Sequence, residues 1–271
     1  MFQEAQIIRG FKVTCVHPIE QSEANWILLP GGPGISIKAY EPLYSTLSIH
    51  ANLHIVEYPN SGDNCQRNYD FTHFLSDLEY LVNQFSKPIL LTHSFSGMLA
   101  LSIKGFKDSL KGLILMNSTL NNQWLSKISQ RALQYQLPNL AKAYKHYVSN
   151  PSKETLKQYY LACIPYFFKP KQHDSAQALL SPLTYHHQAF DWAQQTFHPN
   201  YQYQWVPDNL PCLIIASKDD HITPHDAFYT DTHFHTKNIT HQLINGASHF
   251  PWMDELNLIQ ELICHFEKNC Q

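Results

Sequence analysis

The stretch Lys87-Pro-Ile-Leu-Leu-Thr-His-Ser-Phe-Ser-Gly-Met-Leu-Ala-Leu101 decides the fold. The apolar run Ile89 to Leu91 predicts a buried strand, and the apolar run after Gly97 favours a helix. A serine in a sharp turn between a strand and a helix holds its hydroxyl exposed at the end of a sheet. The stretch therefore predicts that Ser94 is a nucleophile at a strand end.

The spacing around Ser94 matches the Gly-x-Ser-x-Gly pattern of such turns, except that Thr92 and Ser96 replace the two glycines. Small side chains suit these positions because the strand and helix backbones approach closely. Ser96 is the alternative nucleophile, but it would place Met98 in the second crowded position. We therefore prefer Ser94, and we expect the side chain of His93, on the strand, to point the other way.

Composition excludes several classes of protein. Hydrophobic residues make up 44% of the chain and charged residues 15%, which indicates a packed globular protein rather than a disordered one. The formal net charge of −3 predicts no basic surface for nucleic acid. The sequence contains no apolar run of about 18 residues and no secretory signal at the amino terminus, so we predict no membrane-spanning helix and no export.

Cysteine and histidine side chains can act as redox groups and metal ligands. The six cysteines are widely spaced and form no Cys-x-x-Cys pair, which favours free thiols in a reducing cytoplasm. The 17 histidines include close groups at 186–187, 221/225 and 233/235. None of these groups has the His-Glu-x-x-His spacing or a matching cysteine pair, so we expect neither a metal nor a cofactor.

Short apolar runs alternate with helical patterns over much of the chain. Strands are predicted at Phe11–His17, Asn25–Pro30, Leu53–Tyr58, Ile89–Leu91, Gly112–Asn117, Pro211–Ala216 and Ile239–Ile244. The helical pattern is clearest over Phe71–Phe85, where apolar residues recur every three or four positions. This alternation predicts an α/β protein with a mostly parallel sheet and helices on both faces.

The alternation stops between residues 119 and 204, where helical patterns rich in Gln, Lys and Tyr replace the buried strands. We therefore predict a core formed by residues 1–118 and 205–271 and a helical cap formed by residues 119–204. Part of the cap, Tyr159-Tyr-Leu-Ala-Cys-Ile-Pro-Tyr-Phe-Phe168, is strongly aromatic. It suggests an apolar acyl pocket; the alternative is ordinary packing of the cap on the core. The candidate substrate-binding residues of this segment are Tyr159, Tyr160, Tyr166 and Phe167.

A nucleophilic serine needs a base within hydrogen-bond distance, and the base is best oriented by a carboxylate. On a parallel sheet such groups come from loops at the carboxyl ends of strands. The loop after the last predicted strand contains His249, and the loop after the preceding strand contains Asp219 and Asp220. The order Ser, Asp, His is the one found with this type of serine turn. We therefore predict that Ser94 is the nucleophile, that His249 is the base, and that one aspartate orients it.

Developing negative charge on a substrate oxygen is stabilised by backbone N–H groups. The amide of Phe95, at the start of the predicted helix, supplies one donor. The loop Pro30-Gly-Gly-Pro-Gly34 follows the strand where a second donor is expected. We place that donor at Gly32, with Gly31 as the alternative and as a residue beside the substrate. Pro33 has no N–H.

These residues resemble the α/β-hydrolase superfamily over essentially the whole chain, and three stretches are similar to its proline iminopeptidase branch. Pro30–Gly34 resembles the branch's His-Gly-Gly-Pro-Gly loop, Asn245–Glu255 is similar to its Gly-x-Gly-His-Phe-Pro histidine loop, and Lys218–Pro224 resembles its acid loop. The resemblance implies an eight-stranded, mostly parallel sheet with a helical cap. The family's acid stands four residues before a proline, which selects Asp220 over Asp219.

Besides the two glycines that Thr92 and Ser96 replace, the chain departs from that branch at two places. Pro30 replaces the histidine that opens the family's loop, and the acidic cap residues Glu154, Asp174 and Asp191 match no motif for binding a peptide's free amino terminus. The resemblance therefore implies a cytoplasmic serine hydrolase, without cofactor, that acts through an acyl-enzyme on a small carboxylic ester or small aminoacyl amide. The alternatives are acyl transfer at the same site and a non-catalytic protein that binds a ligand or partner.

Overall fold

An eight-stranded sheet forms the centre of the computed structural model, which describes residues 4–20 and 22–270. The strands are β1 Gln6–Ile8, β2 Phe11–His17, β3 Asn25–Leu29, β4 Asn52–Glu57, β5 Ile89–His93, β6 Gly112–Met116, β7 Cys212–Ser217 and β8 Ile239–Ile244. Their order in the sheet is β1-β2-β4-β3-β5-β6-β7-β8. Strands β3 to β8 are parallel and β1 and β2 are antiparallel, which confirms the predicted fold class.

Strands β5, β6 and β7 are buried along their whole length, which shows that both faces of the sheet are covered. Side chains alternate between the two faces. On β3, Trp26 and Leu28 contribute to one hydrophobic core, whereas Ile27 and Leu29 contribute to the other. The helices that cover the sheet are α1 Glu41–Tyr44, α2 Phe74–Val82, α3 Phe95–Ser102, α4 Phe106–Ser109, α12 Asp226–Thr230, α13 Pro251–Asp254 and α14 Leu256–Asn269. Short 3₁₀ turns lie at Ile37–Tyr40, Phe71–His73 and Thr232–Phe234.

The chain between β6 and β7 is helical. Residues 119–204 are all described by the structure, and none of them belongs to the central sheet. We call the helices of this stretch the helical insertion: α5 Trp124–Gln134, α6 Ala141–Ser149, α7 Lys153–Ala162, α8 Ile164–Phe167, α9 His173–Leu180, α10 His187–Trp192 and α11 His198–Asn200. A 3₁₀ turn at Pro170–Gln172 and a π-helical turn at Ala193–Phe197 complete it. The division into a core and a separate cap remains a prediction.

The sheet has one edge strand that the sequence patterns do not indicate. Strand β1 is three residues long, and its residues are exposed or only half-buried. It pairs with β2, Gln6 lying opposite Val13 and Ile8 opposite Phe11. Its apolar run is only Ile7-Ile8, too short to predict a strand, so only its pairing reveals it.

No helix within residues 4–20 and 22–270 combines the length and the apolar character that a membrane span requires.

Candidate active site

Ser94 lies in the sharp turn between β5 and α3. Its backbone has φ 55° and ψ −117°, a conformation that non-glycine residues rarely adopt and that costs about 1–3 kcal/mol. Two hydrogen bonds hold this turn: the Ser94 amide donates to the Met116 carbonyl at 2.9 Å, and the Ser118 hydroxyl donates to the Ser94 carbonyl at 2.9 Å. The strained backbone presents the Ser94 hydroxyl at the carboxyl end of the sheet.

Thr92 and Ser96, which replace glycines of the pattern, have buried hydroxyls that bond to backbone. The Thr92 hydroxyl donates to the Ile114 carbonyl at 2.5 Å, and the Ser96 hydroxyl donates to the Leu29 carbonyl at 2.7 Å. The next residue, Gly97, is crowded, since an added Cβ there would lie 2.5 Å from the Ser118 hydroxyl oxygen. The turn thus accommodates a serine at position 96 and needs a glycine at position 97, and the Ser96 hydroxyl is already engaged.

His249 lies between Ser94 and Asp220. Its Nε2 is 3.0 Å from the Ser94 hydroxyl oxygen, and its Nδ1 is 2.8 Å from Asp220 Oδ2. In the neutral imidazole Nδ1–H donates to the carboxylate, so Nε2 is left to accept the serine proton. All three side chains are buried. The structure thus brings together the three residues that we predict to be catalytic, in an arrangement that can move a proton from serine to imidazole.

The carboxylate of Asp220 is fully buried and held at both oxygens. Oδ1 accepts from the Ile222 and Thr223 amides, and Oδ2 accepts from the Thr223 hydroxyl as well as from His249. Burial raises the pKa of Asp220, but the His249 imidazole and these hydrogen bonds outweigh it, so the pKa is lowered overall. Asp219 is different: its side chain is 45% exposed and lies 3.9 Å from Lys169 Nζ. Asp220, and not Asp219, contacts His249.

His249 belongs to the loop between β8 and α13, which we call the histidine loop (residues 245–250). The His249 amide donates to the Phe167 carbonyl of the helical insertion at 3.1 Å. The Phe167 ring stacks on the imidazole, with centroids 5.7 Å apart and planes at 28°. The His249 carbonyl accepts from Asn117 Nδ2 at 3.0 Å and from His93 Nε2 at 2.7 Å. Both sides of the histidine's backbone are therefore fixed.

The two amides that we predict to bind the oxyanion differ from the Gly31 amide in their hydrogen bonding. Within the described chain, neither the Phe95 amide nor the Gly32 amide donates to another protein group. The Gly31 amide, by contrast, donates to the Tyr40 hydroxyl at 2.5 Å. Gly32 has φ 49°, in the left-handed region that favours glycine. Gly32 thus retains an available N–H, whereas the Gly31 N–H is occupied.

Contrary to our expectation for His93, its side chain lies beside the site. Burial, followed by the proximity of His249, lowers the pKa of His93 well below its usual value, so the ring is neutral. Since its Nε2 donates to the His249 carbonyl, Nδ1 accepts from the Tyr40 hydroxyl at 2.8 Å. A chain of hydrogen bonds therefore runs from Gly31 through Tyr40 and His93 to the histidine loop. No motif marks either residue, because only tertiary packing brings them together.

Replacing Tyr40 with phenylalanine should lower kcat about tenfold, because the Gly31 amide and His93 Nδ1 both lose their partner. Deleting an oxyanion donor lowers kcat about 10²–10³-fold. The decrease for Tyr40→Phe should be smaller, because Tyr40 acts only through its neighbours. The measurement is kcat and KM for a p-nitrophenyl ester, together with the melting temperature. Tyr44→Phe is the matched control, since no hydrogen bond of the Tyr44 hydroxyl is present in the described chain. A lower melting temperature with unchanged kcat would show that Tyr40 has only a structural role.

A cavity of about 210 Å³ lies over Ser94 and His249. Every residue predicted to contact the substrate lines it: Gly31, Tyr159, Tyr160, Tyr166 and Phe167. It is also lined by residues that the sequence patterns do not indicate, among them Tyr40, His93, Trp124, Phe190, Gln194 and His198. The Tyr160 hydroxyl donates to the Pro33 carbonyl at 3.0 Å, which ties the helical insertion to the glycine loop.

No acidic residue lines the cavity in the part of the chain that the structure describes, and no Lys or Arg does so. Among the acids of the insertion, Glu154 and Asp174 are exposed. Asp191 accepts a hydrogen bond from the Tyr147 hydroxyl and lies 3.0 Å from His187 Nδ1. The described wall of the cavity therefore contains no carboxylate, ammonium or guanidinium group. Across residues 4–20 and 22–270 there is also no group of three or more His, Cys, Asp or Glu side chains placed to hold a metal ion.

Comparisons with known proteins agree with this architecture. Residues 26–257 match the family described as the alpha/beta hydrolase family. A proline iminopeptidase-related protein from Thermus thermophilus is similar in structure, with a TM-score of 0.70, 18% identity and coverage of 94% of this chain and 92% of that one. No curated protein matches the chain.

Two further structures share the fold. A thermophilic esterase from Thermogutta terrifontis has a TM-score of 0.69 at 13% identity, with 96% of this chain and 93% of that one covered. A meta-cleavage product hydrolase from Pseudomonas fluorescens has a TM-score of 0.71 at 13% identity, with coverage of 100% and 99%. At these identities the likeness concerns the fold.

Proposed function

The chain belongs to the alpha/beta hydrolase family, and from this premise we propose that it is a serine hydrolase acting on a small, uncharged carboxylic ester through an acyl-enzyme. The observation that carries the proposal is the position of His249, whose Nε2 is 3.0 Å from the Ser94 hydroxyl and whose Nδ1 is 2.8 Å from Asp220. Such a placement is what activation of a serine hydroxyl at neutral pH requires.

In the proposed mechanism Ser94 Oγ attacks the ester carbonyl carbon while His249 Nε2 takes its proton. Asp220 keeps Nδ1–H oriented and stabilises the imidazolium that forms. The amides of Phe95 and Gly32 donate to the oxyanion of the tetrahedral intermediate. The imidazolium then protonates the leaving alcohol. Water, deprotonated by His249, attacks the acyl-enzyme, and the acid is released from Ser94.

An ester is favoured over an aminoacyl amide because the cavity has no carboxylate to pair with a substrate ammonium group. An ammonium ion moved from water into a cavity without a counter-charge loses hydration that the aromatic rings and hydroxyls of the wall replace only in part. The five predicted contact residues that line the cavity instead offer aromatic rings and the Gly31 backbone. The fold is shared by an esterase and by a proline iminopeptidase-related protein, so charge in the cavity is the observation that separates the two substrate classes.

Two esters that differ only in charge test this choice. p-Nitrophenyl propanoate and p-nitrophenyl glycinate have almost the same shape, but the second carries an ammonium group. We expect kcat/KM for the propanoate to exceed that for the glycinate by at least about 100-fold after correction for spontaneous hydrolysis, since a buried unpaired charge costs several kcal/mol. Proline p-nitroanilide should be turned over more slowly still. A preference for the glycinate or the nitroanilide would contradict the ester assignment and support an aminopeptidase.

A further inference from the structure

One wall of the cavity carries buried polar groups without partners. The indole Nε1 of Trp124 and Nδ1 of His198 are both enclosed by protein, and neither makes a hydrogen bond within the described chain. Both side chains line the cavity above Ser94. Their rings meet edge to face, with centroids 5.1 Å apart and planes at 81°. Two adjacent side chains that line the cavity thus each carry a buried polar atom without a partner.

His198 is close to the reacting serine. Its ring packs edge-on against Phe95, the residue after Ser94, at a centroid distance of 5.4 Å. The residue is only 4% exposed, and burial lowers its pKa to about 3, so the imidazole is neutral. A neutral imidazole offers one donor and one acceptor. This part of the wall can therefore bind polar groups without introducing charge.

The backbone of the insertion changes its helical pitch at this wall. The π-helical turn Ala193–Phe197 lies directly before His198. Turns of this kind, with bonds between residues i and i+5, are rare and often occur at functional sites. Gln194 lies four residues before His198, also lines the cavity, and makes no side-chain hydrogen bond to other described residues. The turn thus brings a third polar side chain to the same cavity.

Buried polar groups in native proteins nearly always have partners, since leaving them unpaired is unfavourable. We propose that Trp124, Gln194 and His198 form a subsite that binds an uncharged carbonyl oxygen, keto or amide, carried by the substrate in addition to its scissile ester. The indole supplies only a donor, and the amide and the neutral imidazole each have one available, so each of the three side chains can donate to an acceptor oxygen. A carboxylate does not fit, because no Lys or Arg lines the described cavity. This inference rests on the proposed function.

The test compares p-nitrophenyl hexanoate with the 3-oxo, 4-oxo and 5-oxo hexanoates, which replace one CH₂ by C=O at successive positions. We expect the wild type to prefer at least one oxo ester by about tenfold or more in kcat/KM, relative to the alkaline hydrolysis rates, because a site built for hydrogen bonding discriminates against analogues lacking the group. Trp124→Phe keeps an aromatic ring but removes the N–H and part of the indole, and His198→Leu removes both ring nitrogens. Each variant should lose most of the oxo preference.

His225→Leu is the matched control, because His225 also has a buried unpartnered Nδ1 but does not line the cavity. It should keep the oxo preference. Labelling with a fluorophosphonate counts active sites in every sample, and melting curves establish folding. A labelled, folded wild type without preference for any oxo ester, or one whose preference survives in both Trp124→Phe and His198→Leu, overturns the subsite alone. A folded wild type that does not label overturns the serine hydrolase and the subsite together.

Discussion

Ser94→Ala is expected to reduce ester turnover about 10⁶-fold, the loss typical of removing the nucleophile from a serine, histidine and aspartate unit. Without Oγ no acyl-enzyme forms, and only the binding and oxyanion groups continue to act on the substrate. The Ser94 backbone conformation is held by Met116 and Ser118, so we expect the variant to fold. Steady-state kcat for p-nitrophenyl acetate and covalent labelling by a fluorophosphonate measure the loss.

Ser96→Ala is the control for this prediction. The Ser96 hydroxyl bonds to the Leu29 carbonyl, so its removal should cost about 1–3 kcal/mol of stability and leave labelling intact. Labelling that survives in Ser94→Ala and disappears in Ser96→Ala would assign the nucleophile to Ser96. A folded wild type that never labels would favour the alternative of a non-catalytic binding protein. Acyl transfer would instead give normal labelling and a new ester when a second alcohol is added.

Asp220→Asn is expected to reduce kcat about 10⁴-fold while the protein stays folded. An asparagine can occupy the same space, but its amide cannot stabilise the imidazolium and can hold the wrong tautomer of His249. The loss should therefore appear in kcat more than in KM, and it should persist over the accessible pH range. Stopped-flow measurement of the acylation burst separates it from slow product release.

Asp219→Asn, one position earlier, removes the same charge from the same loop. Because the Asp219 side chain is 45% exposed and 3.9 Å from Lys169, we expect kcat to change by less than about twofold, since exposed pairs of this kind contribute little. Equal decreases of kcat in Asp219→Asn and Asp220→Asn would mean that activity depends on the charge of the loop rather than on the contact with His249. A larger loss for Asp219→Asn would overturn the assignment of the acid.

The sequence patterns predict the central strands well because each is a short apolar run buried on both faces. The sequence patterns do not predict strand β1, since its three residues are exposed or half-buried and it is defined only by pairing with β2. Ser94, Asp220 and His249 are predictable because each follows a strand within a few residues, and parallel strands end at one edge. The strand and loop patterns alone do not choose between Asp219 and Asp220. The resemblance to the family's acid loop selects Asp220, and this is the carboxylate that the fold buries beside the imidazole.

Other parts of the site depend on contacts across the chain. The preference for Gly32 over Gly31 as the donor depends on Tyr40, which occupies the Gly31 amide, and no local pattern links Tyr40 to this loop. The orientation of His93 likewise follows from its contacts with Tyr40 and the histidine loop. His198 belongs to the helical insertion. The positions of these helices are not set by pairing with the strands of the sheet. The sequence therefore predicts residues on the sheet edge better than residues that face them.

The hydrogen bond between the His249 amide and the Phe167 carbonyl bears on how this protein could be re-engineered. Lys169 adds a second connection, since its Nζ donates to the Gly246 carbonyl at 2.7 Å. Grafting the corresponding helices from a relative would exchange the pocket wall and, in the same step, remove two anchors of the histidine loop. A chimera must therefore keep the backbone carbonyl of residue 167 in the same position and a cation at position 169. Libraries that randomise the pocket are better confined to side chains that leave this backbone contact alone.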